Sequence, residues 1–262
     1  YNNLNSFFWL FSLDLKSSKK DTQKIIIDWI EKNDKYNNKS WEIDIIGKRI
    51  ISWISNSKLT YEDSDITYKE KFDFIIKKQT NHLINEIEKS KRVDDKMIGC
   101  AAIILVGLSY KNKSFYLNSG LNLLKKIIKI SIDNEGFPKS RNIRQLSFYL
   151  KYFVLIREWF KESQTEINEY IDENIYYLGQ AYAFIWQNNK KDVLFNGNHE
   201  GNNKEFDQYL KRLGYKFKNL TNELGGYAIV SDKKISLIMD IGQSPEKKFS
   251  SNYQSGSLSF EI

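Results

Sequence analysis

Residues 65–90 read DITYKEKFDFIIKKQTNHLINEIEKS, and their periodicity decides the fold. Phe72, Ile75, Ile76, Leu83 and Ile87 recur at helical spacing and lay one apolar stripe along the segment. Beside that stripe stand Asn81 and His82, the latter one of only two histidines in the chain, with His199. An amide and an imidazole are expensive to bury without partners. Together they can grip an anionic group and move a proton. The alternative is a helix-surface amide beside an imidazole held by structural hydrogen bonds.

Helical periodicity extends in both directions, from about Asp21 to Gln187. Asp21 can cap a short helix through Ile25, Ile26, Trp29 and Ile30. Ser40 can cap the next, whose apolar positions include Trp41, Ile45, Ile46, Ile50, Trp53 and Ile54. After the Asn81-His82 helix comes a nearly all-apolar one, Asp95 to Tyr110, that should be buried on most sides. Another runs from Phe115 to Ile132 and ends at Asn134-Glu135-Gly136-Phe137-Pro138, where Gly and Pro both punctuate. Two more follow, Ile143 to Phe160 and Thr165 to Trp186, and short loops predict antiparallel pairs.

Past Trp186 the pattern changes to short strands between polar turns: Val193 to Phe195, Gly214 to Phe217, Tyr227 to Val230 and Ile235 to Met239. Ser231-Asp232-Lys233-Lys234 suits a hairpin connection. The predicted organisation is a helical domain over residues 1–188 and the opening of a β domain over 189–262. The first residue is Tyr1 and the last five, Leu258 to Ile262, read as a strand, so we expect a piece of a longer protein.

The 262 residues are 41% hydrophobic and 15% aromatic, a folded composition with room for a sizeable core. Only two prolines, Pro138 and Pro245, interrupt it. The net charge of +7 suits a polyanionic partner. Basic residues alternate with acids, however, and no nucleic-acid motif or compact basic stripe stands out. Cys100 has no partner for an internal disulfide and lies in an apolar stretch, which makes it a small core residue. That stretch is too short to span a bilayer, so no membrane insertion is expected.

Several segments, taken in order, resemble the heparinase II/III-like proteins. They are Phe8-Trp9-Leu10-Phe11-Ser12-Leu13, Ile27-Asp28-Trp29-Ile30, and Trp41 leading into Lys48-Arg49-Ile50-Ile51-Ser52-Trp53, which is similar to that family's Trp-to-Arg-to-Trp helix. Thr80-Asn81-His82-Leu83-Ile84 resembles its Asn-His helix start. Glu135 to Asn142 is similar to a segment that in many relatives reads Asp-Gly-Gly-His and then Ser-Arg-Asn. Leu194-Phe195-Asn196-Gly197, Asp240-Ile241-Gly242 and Gly256 to Glu261 resemble the domain junction and the start of the β-sandwich.

The resemblance implies an incomplete (α/α) toroid of antiparallel helical hairpins followed by the start of an antiparallel β-sandwich. It implies β-elimination on an acidic, uronate-containing polysaccharide, in a periplasmic or cell-envelope setting, with no cofactor required. Such chemistry needs a neutralised carboxylate, a base for the C5 proton and an acid for the departing oxygen. Asn81 fits the first role, and His82 serves as base or as carboxylate contact. The position aligned with the relatives' tyrosine is not a Tyr here; Tyr149, or Tyr152 one turn on, is the nearest hydroxyl, with a core aromatic as the alternative for each. Arg141 and Arg144, flanking Asn142, can hold a carboxylate or sulfate. Asn196 and His199 belong to a polar run that suits a sugar rim or an exposed connector. His199-Glu200 lacks a second His at ligand spacing, which argues against zinc. Two departures stand out: Pro138 and Gln254 occupy positions where relatives carry histidine. They motivate a second expectation, a catalytically silent glycan-binding protein of the same fold. The oligomeric state is not legible.

Overall fold

The computed structural model describes residues 2–13, 18–110, 114–187, 193, 196, 203–231, 235–252 and 259–262. The chain forms two compact units, one ending at Lys126 and the other beginning at Ile127. The first unit is helical: α1 (Asn2–Ser6), a 3-10 turn (Phe8–Ser12), α2 (Lys19–Asn33), α3 (Ile43–Ser55), α4 (Ser57–Thr60), α5 (Ile66–Glu86) and α6 (Val93–Ser109). It also holds most of α7 (Ser114–Ser131), which continues past the division.

The stripe read from residues 65–90 is the buried face of α5, with Phe72, Ile75, Ile76 and Leu83 all in the core. Asp65 starts the helix by accepting a hydrogen bond from the Tyr68 amide at 2.8 Å. Two tyrosines fix α5 from its flanks: Tyr61 and Tyr110 donate their hydroxyls to Asp73 at 3.0 and 2.9 Å. The α6 helix is buried on nearly every side from Met97 to Val106, as its composition predicts. Its seam with α7 is tight because both helices offer glycine. A Cβ on Gly107 would lie 2.5 Å from the Leu117 nitrogen. Nearby, Cys100 Sγ donates to the Gly120 carbonyl at 3.2 Å, and burial pushes its thiol pKa up.

Two expected caps are corrected. Asp21 does not cap α2; Ser18 does, its hydroxyl accepting from the Asp21 amide at 3.2 Å, and Asp21 sits in the first turn. Ser40 does not cap α3, which begins two residues later than that reading requires, with Glu42 at the N-cap position and no side-chain cap bond. The 37–40 turn is organised by Asn37 instead, whose side-chain oxygen accepts from the Lys39 and Ser40 amides at 3.2 and 2.9 Å.

That turn frees the Ser40 carbonyl for Arg49, the largest polar side chain in the core, at 0% exposure. Arg49 donates to the Ser40 carbonyl at 2.9 Å, the Asn5 carbonyl at 2.7 Å and Gln79 Oε1 at 3.2 Å. Its guanidinium also lies over the Trp29 ring at 4.1 Å. One side chain therefore ties α1, the turn before α3 and α5 together. Burial pushes its pKa down to about 9, which still leaves it charged at neutral pH.

The second unit carries α8 (Ile143–Glu162), α9 (Glu169–Tyr182), a π turn (Ala183–Gln187) and α10 (Asn203–Arg212). Its strands are β1 (Glu223–Leu224), β2 (Tyr227–Ser231), β3 (Ser236–Asp240) and β4 (Phe260–Glu261), antiparallel in the order β1-β2-β3-β4. The β2–β3 register pairs Ala228 with Met239 and Val230 with Leu237. Alternation then turns Tyr227, Ile229, Ile238 and Asp240 inward. The helix expected from Thr165 starts at Glu169 and loosens into the π turn after Tyr182.

Gly214 to Phe217 is not a strand. Tyr215 instead donates to Glu158 on α8 at 2.8 Å, and the Phe217 ring occupies the space a Cβ on Gly179 of α9 would need. Its aromatic alternation serves helix contacts rather than a sheet. Val193 is buried outside any strand, and Leu194 and Phe195 lie outside the described residues. The α10 helix and β1 were not anticipated. Among the described residues no helix is long and apolar enough to cross a membrane.

Replacing Arg49 with Leu removes the donor from two buried acceptors, the Ser40 carbonyl and Gln79 Oε1, and from the part-buried Asn5 carbonyl. We expect a loss of about 2–4 kcal/mol in urea denaturation followed by circular dichroism.

Candidate functional site

Asn81 and His82 occupy adjacent positions on α5, beside its buried stripe, and face two different neighbours. Asn81 is exposed, and its side-chain oxygen accepts from the Tyr116 hydroxyl of α7 at 2.9 Å. Burial raises the Tyr116 pKa, which keeps that hydroxyl protonated and a donor. His82 is half-buried against aromatic rings. Its centroid lies 5.3 Å from that of Trp41, edge to face, and 5.5 Å from that of Tyr36.

Desolvation lowers the His82 pKa, outweighing the opposing pull of Glu86 and of a hydrogen bond to the Trp41 backbone. The imidazole is thus neutral at pH 7, and a neutral imidazole keeps one acceptor nitrogen able to take a proton. Lys78, one turn earlier, donates to the Asp34 carbonyl at 2.5 Å and lies 5.8 Å from the Trp41 and Phe74 rings. An exposed amide, a neutral imidazole and a lysine therefore share one stretch of α5.

The remaining candidates belong to the second unit, where the break after α7 is a built turn. Asp133 accepts from the Glu135 and Phe137 amides at 2.9 and 2.8 Å, and burial raises its pKa. Gly136, at φ +77, sits so close to α9 that a Cβ would lie 2.5 Å from Tyr177 Cβ. Pro138 is buried, bridged to Ile132, and its carbonyl accepts from the Arg141 amide at 2.7 Å.

Arg141 is a clasp on the sheet. Its guanidinium donates to the carbonyls of Gly225, Gly226 and Gln243 at 3.1, 2.7 and 2.9 Å, and to Asp240 Oδ1 at 2.5 Å. Gly226 and Gly242 make room for it, since a Cβ on either would come within 2.7 Å of the guanidinium. Asn196 reaches the other oxygen of Asp240 at 2.6 Å and also donates to the Tyr227 hydroxyl at 2.6 Å. Tyr227 in turn donates to the Arg141 carbonyl at 2.6 Å. Arg141 and Asn196 both adopt left-handed backbone conformations, at φ 59 and 56. That is an uncommon state for side chains with a Cβ. Here the network holds both of them in it.

Three expectations change accordingly. Arg141 was expected to offer a fork to substrate, but four of its N–H contacts are internal. Asn196 was expected on a polar rim and is buried. Tyr149 was expected to present a hydroxyl, but it is 1% exposed within α8, with its ring edge-on to Phe148. Asn142 caps α8, its side-chain oxygen accepting from the Gln145 amide at 3.2 Å, while Arg144 is exposed. His199 and Gln254 lie outside the described residues. Beside the clasp is an open cleft of about 360 Å³ with Glu135, Lys139, Arg141 and Glu246 on its walls. Among the described residues no group of three or more His, Cys, Asp or Glu side chains is placed to hold a metal ion.

Tyr116 is not legible in the sequence, because it lies in the first turn of a helix whose bounds alone are marked there. Sequence reading also missed Asp240 as the centre of the clasp. A lone carboxylate ending an apolar strand, Ser236-Leu237-Ile238-Met239-Asp240, was the available signal, since a buried charge demands a partner.

Among solved structures, the chain resembles a mutant of the heparan sulfate lyase HepC from Pedobacter heparinus, with a TM-score of 0.72 and 13% identity over 94% of this chain and 44% of that one. It also resembles a heparinase III gene product (TM-score 0.70, 14% identity, 98% of this chain and 48% of that one). A further heparinase III matches at TM-score 0.69 and 14% identity, over 92% of this chain and 44% of that one. The chain therefore spans somewhat under half the length of each. The fold expected from the sequence, an incomplete (α/α) toroid of helical hairpins followed by the start of an antiparallel β-sandwich, is the fold of these structures. No protein-family model matches the sequence. One curated protein, Ycf2 of Physcomitrium patens, is 31% identical over 186 residues, 70% of this chain but 8% of that protein. So small a share of a much longer protein assigns no family.

Removing the carboxylate in Asp240→Ala leaves Arg141 buried and unpaired. We expect a loss of about 3–5 kcal/mol in chemical denaturation, with a smaller loss for Asp240→Asn.

Proposed function

We propose that this chain is the cleft-bearing part of a polysaccharide lyase of the heparinase II/III-like type, acting on an acidic, uronate-containing glycan that can also be sulfated. The observation that carries this reading is the pairing on α5 of an exposed amide, oriented by a tyrosine, with a half-buried imidazole kept neutral by desolvation. The likeness in fold to heparan sulfate lyases supports the reaction class.

In the proposed step, the Asn81 amide donates to the uronate carboxylate and stabilises the charge that builds there as C5 loses its proton. His82 takes that proton. The C4–O4 bond breaks as the C4–C5 double bond forms, and the departing oxygen is protonated by the imidazolium so formed or by water. No cofactor is required. Arg144, exposed at the start of α8, is the arginine assigned to anionic groups of the substrate, with Asn142 two residues before it; His199, far along the chain, is assigned to the same substrate contacts. Arg141 and Asn196 hold the sheet, and buried Tyr149 is given no step. Residues 1–188 form the toroid part of this assignment and 189–262 the opening of the sandwich. A periplasmic or cell-envelope setting belongs to the same proposal, with a polysaccharide and not a nucleic acid as partner.

A second reading, a catalytically silent glycan binder, draws on Pro138 and Gln254 standing where relatives carry histidine and on the burial of Tyr149.

The test is incubation with a panel of uronate polysaccharides, following ultraviolet absorbance from the unsaturated uronate at new chain ends. We expect a rise that falls by at least ~10²-fold in Asn81→Ala and in His82→Ala. Because the His82 pKa is lowered from 6.5, kcat/KM should stay level down to about that pH and fall on an acid limb below it. Binding without any absorbance rise would select the silent binder.

A further inference from the structure

Asn81 can serve a carboxylate only in one of its two amide orientations. With its nitrogen outward it offers two N–H donors to an anion; with its oxygen outward it repels one. The two orientations are related by a half-turn about the last side-chain torsion, which is broad and weakly held in an exposed asparagine. Something must select between them.

The selecting group is a neighbouring tyrosine. The Tyr116 hydroxyl, on α7, donates to the Asn81 side-chain oxygen at 2.9 Å. Tyr116 itself is 5% exposed, so its ring is anchored in the core while its hydroxyl reaches the amide. Asn81 as a whole is exposed, so the atom left facing outward is its nitrogen. The seam that brings α7 to this position is fixed independently by the close glycine contacts between α6 and α7 at Gly107 and Gly120.

We propose that Tyr116 is the positioning residue that turns the Asn81 amide nitrogen outward to receive a carboxylate oxygen. This rests on the lyase reading for its substrate, but the orientation itself is a property of the free protein. Tyr116 takes no part in proton transfer. Its hydroxyl donates to the amide before substrate arrives and continues to do so throughout.

The deciding experiment compares wild type, Tyr116→Phe, Asn81→Ala and the double variant. Tyr116→Phe keeps the buried ring and loses only the donor. The first readout, in free protein, is the Asn81 side-chain amide order parameter from ¹⁵N relaxation. It should be high in wild type and fall clearly in Tyr116→Phe, while backbone order in α5 and α7 stays as it was. The second readout is elimination, with kcat/KM expected to drop about tenfold in Tyr116→Phe and no further drop when Tyr116→Phe is added to Asn81→Ala.

An Asn81 amide equally ordered in Tyr116→Phe would overturn the proposal. So would a Tyr116→Phe penalty that persists undiminished in the Asn81→Ala background, since that is the mark of a general structural role. If the amide loosens as expected but wild type cleaves no uronate glycan, the positioning role stands and the lyase reading falls.

Discussion

One buried carboxylate organises the second unit. Asp240 is wholly inaccessible, ends an inward-facing position of β3, and receives both the Arg141 guanidinium and the Asn196 amide. A charge in that position is tolerable only because its partners are charged or strongly polar and come from elsewhere in the chain. The partners are constrained in return, each holding a left-handed backbone. Glycines at 226 and 242 leave a flat slot beside the guanidinium, and the Tyr227 ring lies under it at 4.8 Å. The break after α7, the Asn196 segment and the first strands are consequently one mechanical object.

The first unit solves a related problem differently. Arg49 is as deeply buried as Asp240, yet the acceptors it meets are neutral: two backbone carbonyls and a glutamine oxygen, with an indole face beneath. Such a cation keeps its charge and leaves it uncompensated at the level of direct contacts. Guanidinium suits this, being planar, weakly hydrated and able to address several carbonyls at once. Both arginines are internal fasteners, each committing its guanidinium to the chain itself. The proposed site therefore rests on Asn81 and His82, where α5 meets solvent.

Legibility followed the range of the interactions. The buried faces of α5 and α6 were readable because their information is local, carried by apolar spacing within one element. Caps were less so: Ser18 and Asn37 act through neighbouring amides, and nearby polar residues compete for the same role. What could not be read was action at long separation. Arg141 meets Asp240, 99 positions away; Tyr116 meets Asn81, 35 away; Phe217 fills the space opposite Gly179. Tyr215 and Phe217 alternate as strand residues do, and only packing against α8 and α9 tells that they serve helices. Tyr149 illustrates the converse, a hydroxyl-bearing residue whose helix face was undetermined and which the core claimed.

The α6–α7 seam has a consequence for handling the molecule. Its thiol is the single cysteine, protonated, donating to the Gly120 carbonyl and sealed by glycine-mediated contact. Alkylating and oxidising reagents act on an accessible thiolate, so Cys100 is inert while the two helices stay together. Its rate of labelling therefore reports the opening that exposes this part of α6, read without any engineered probe.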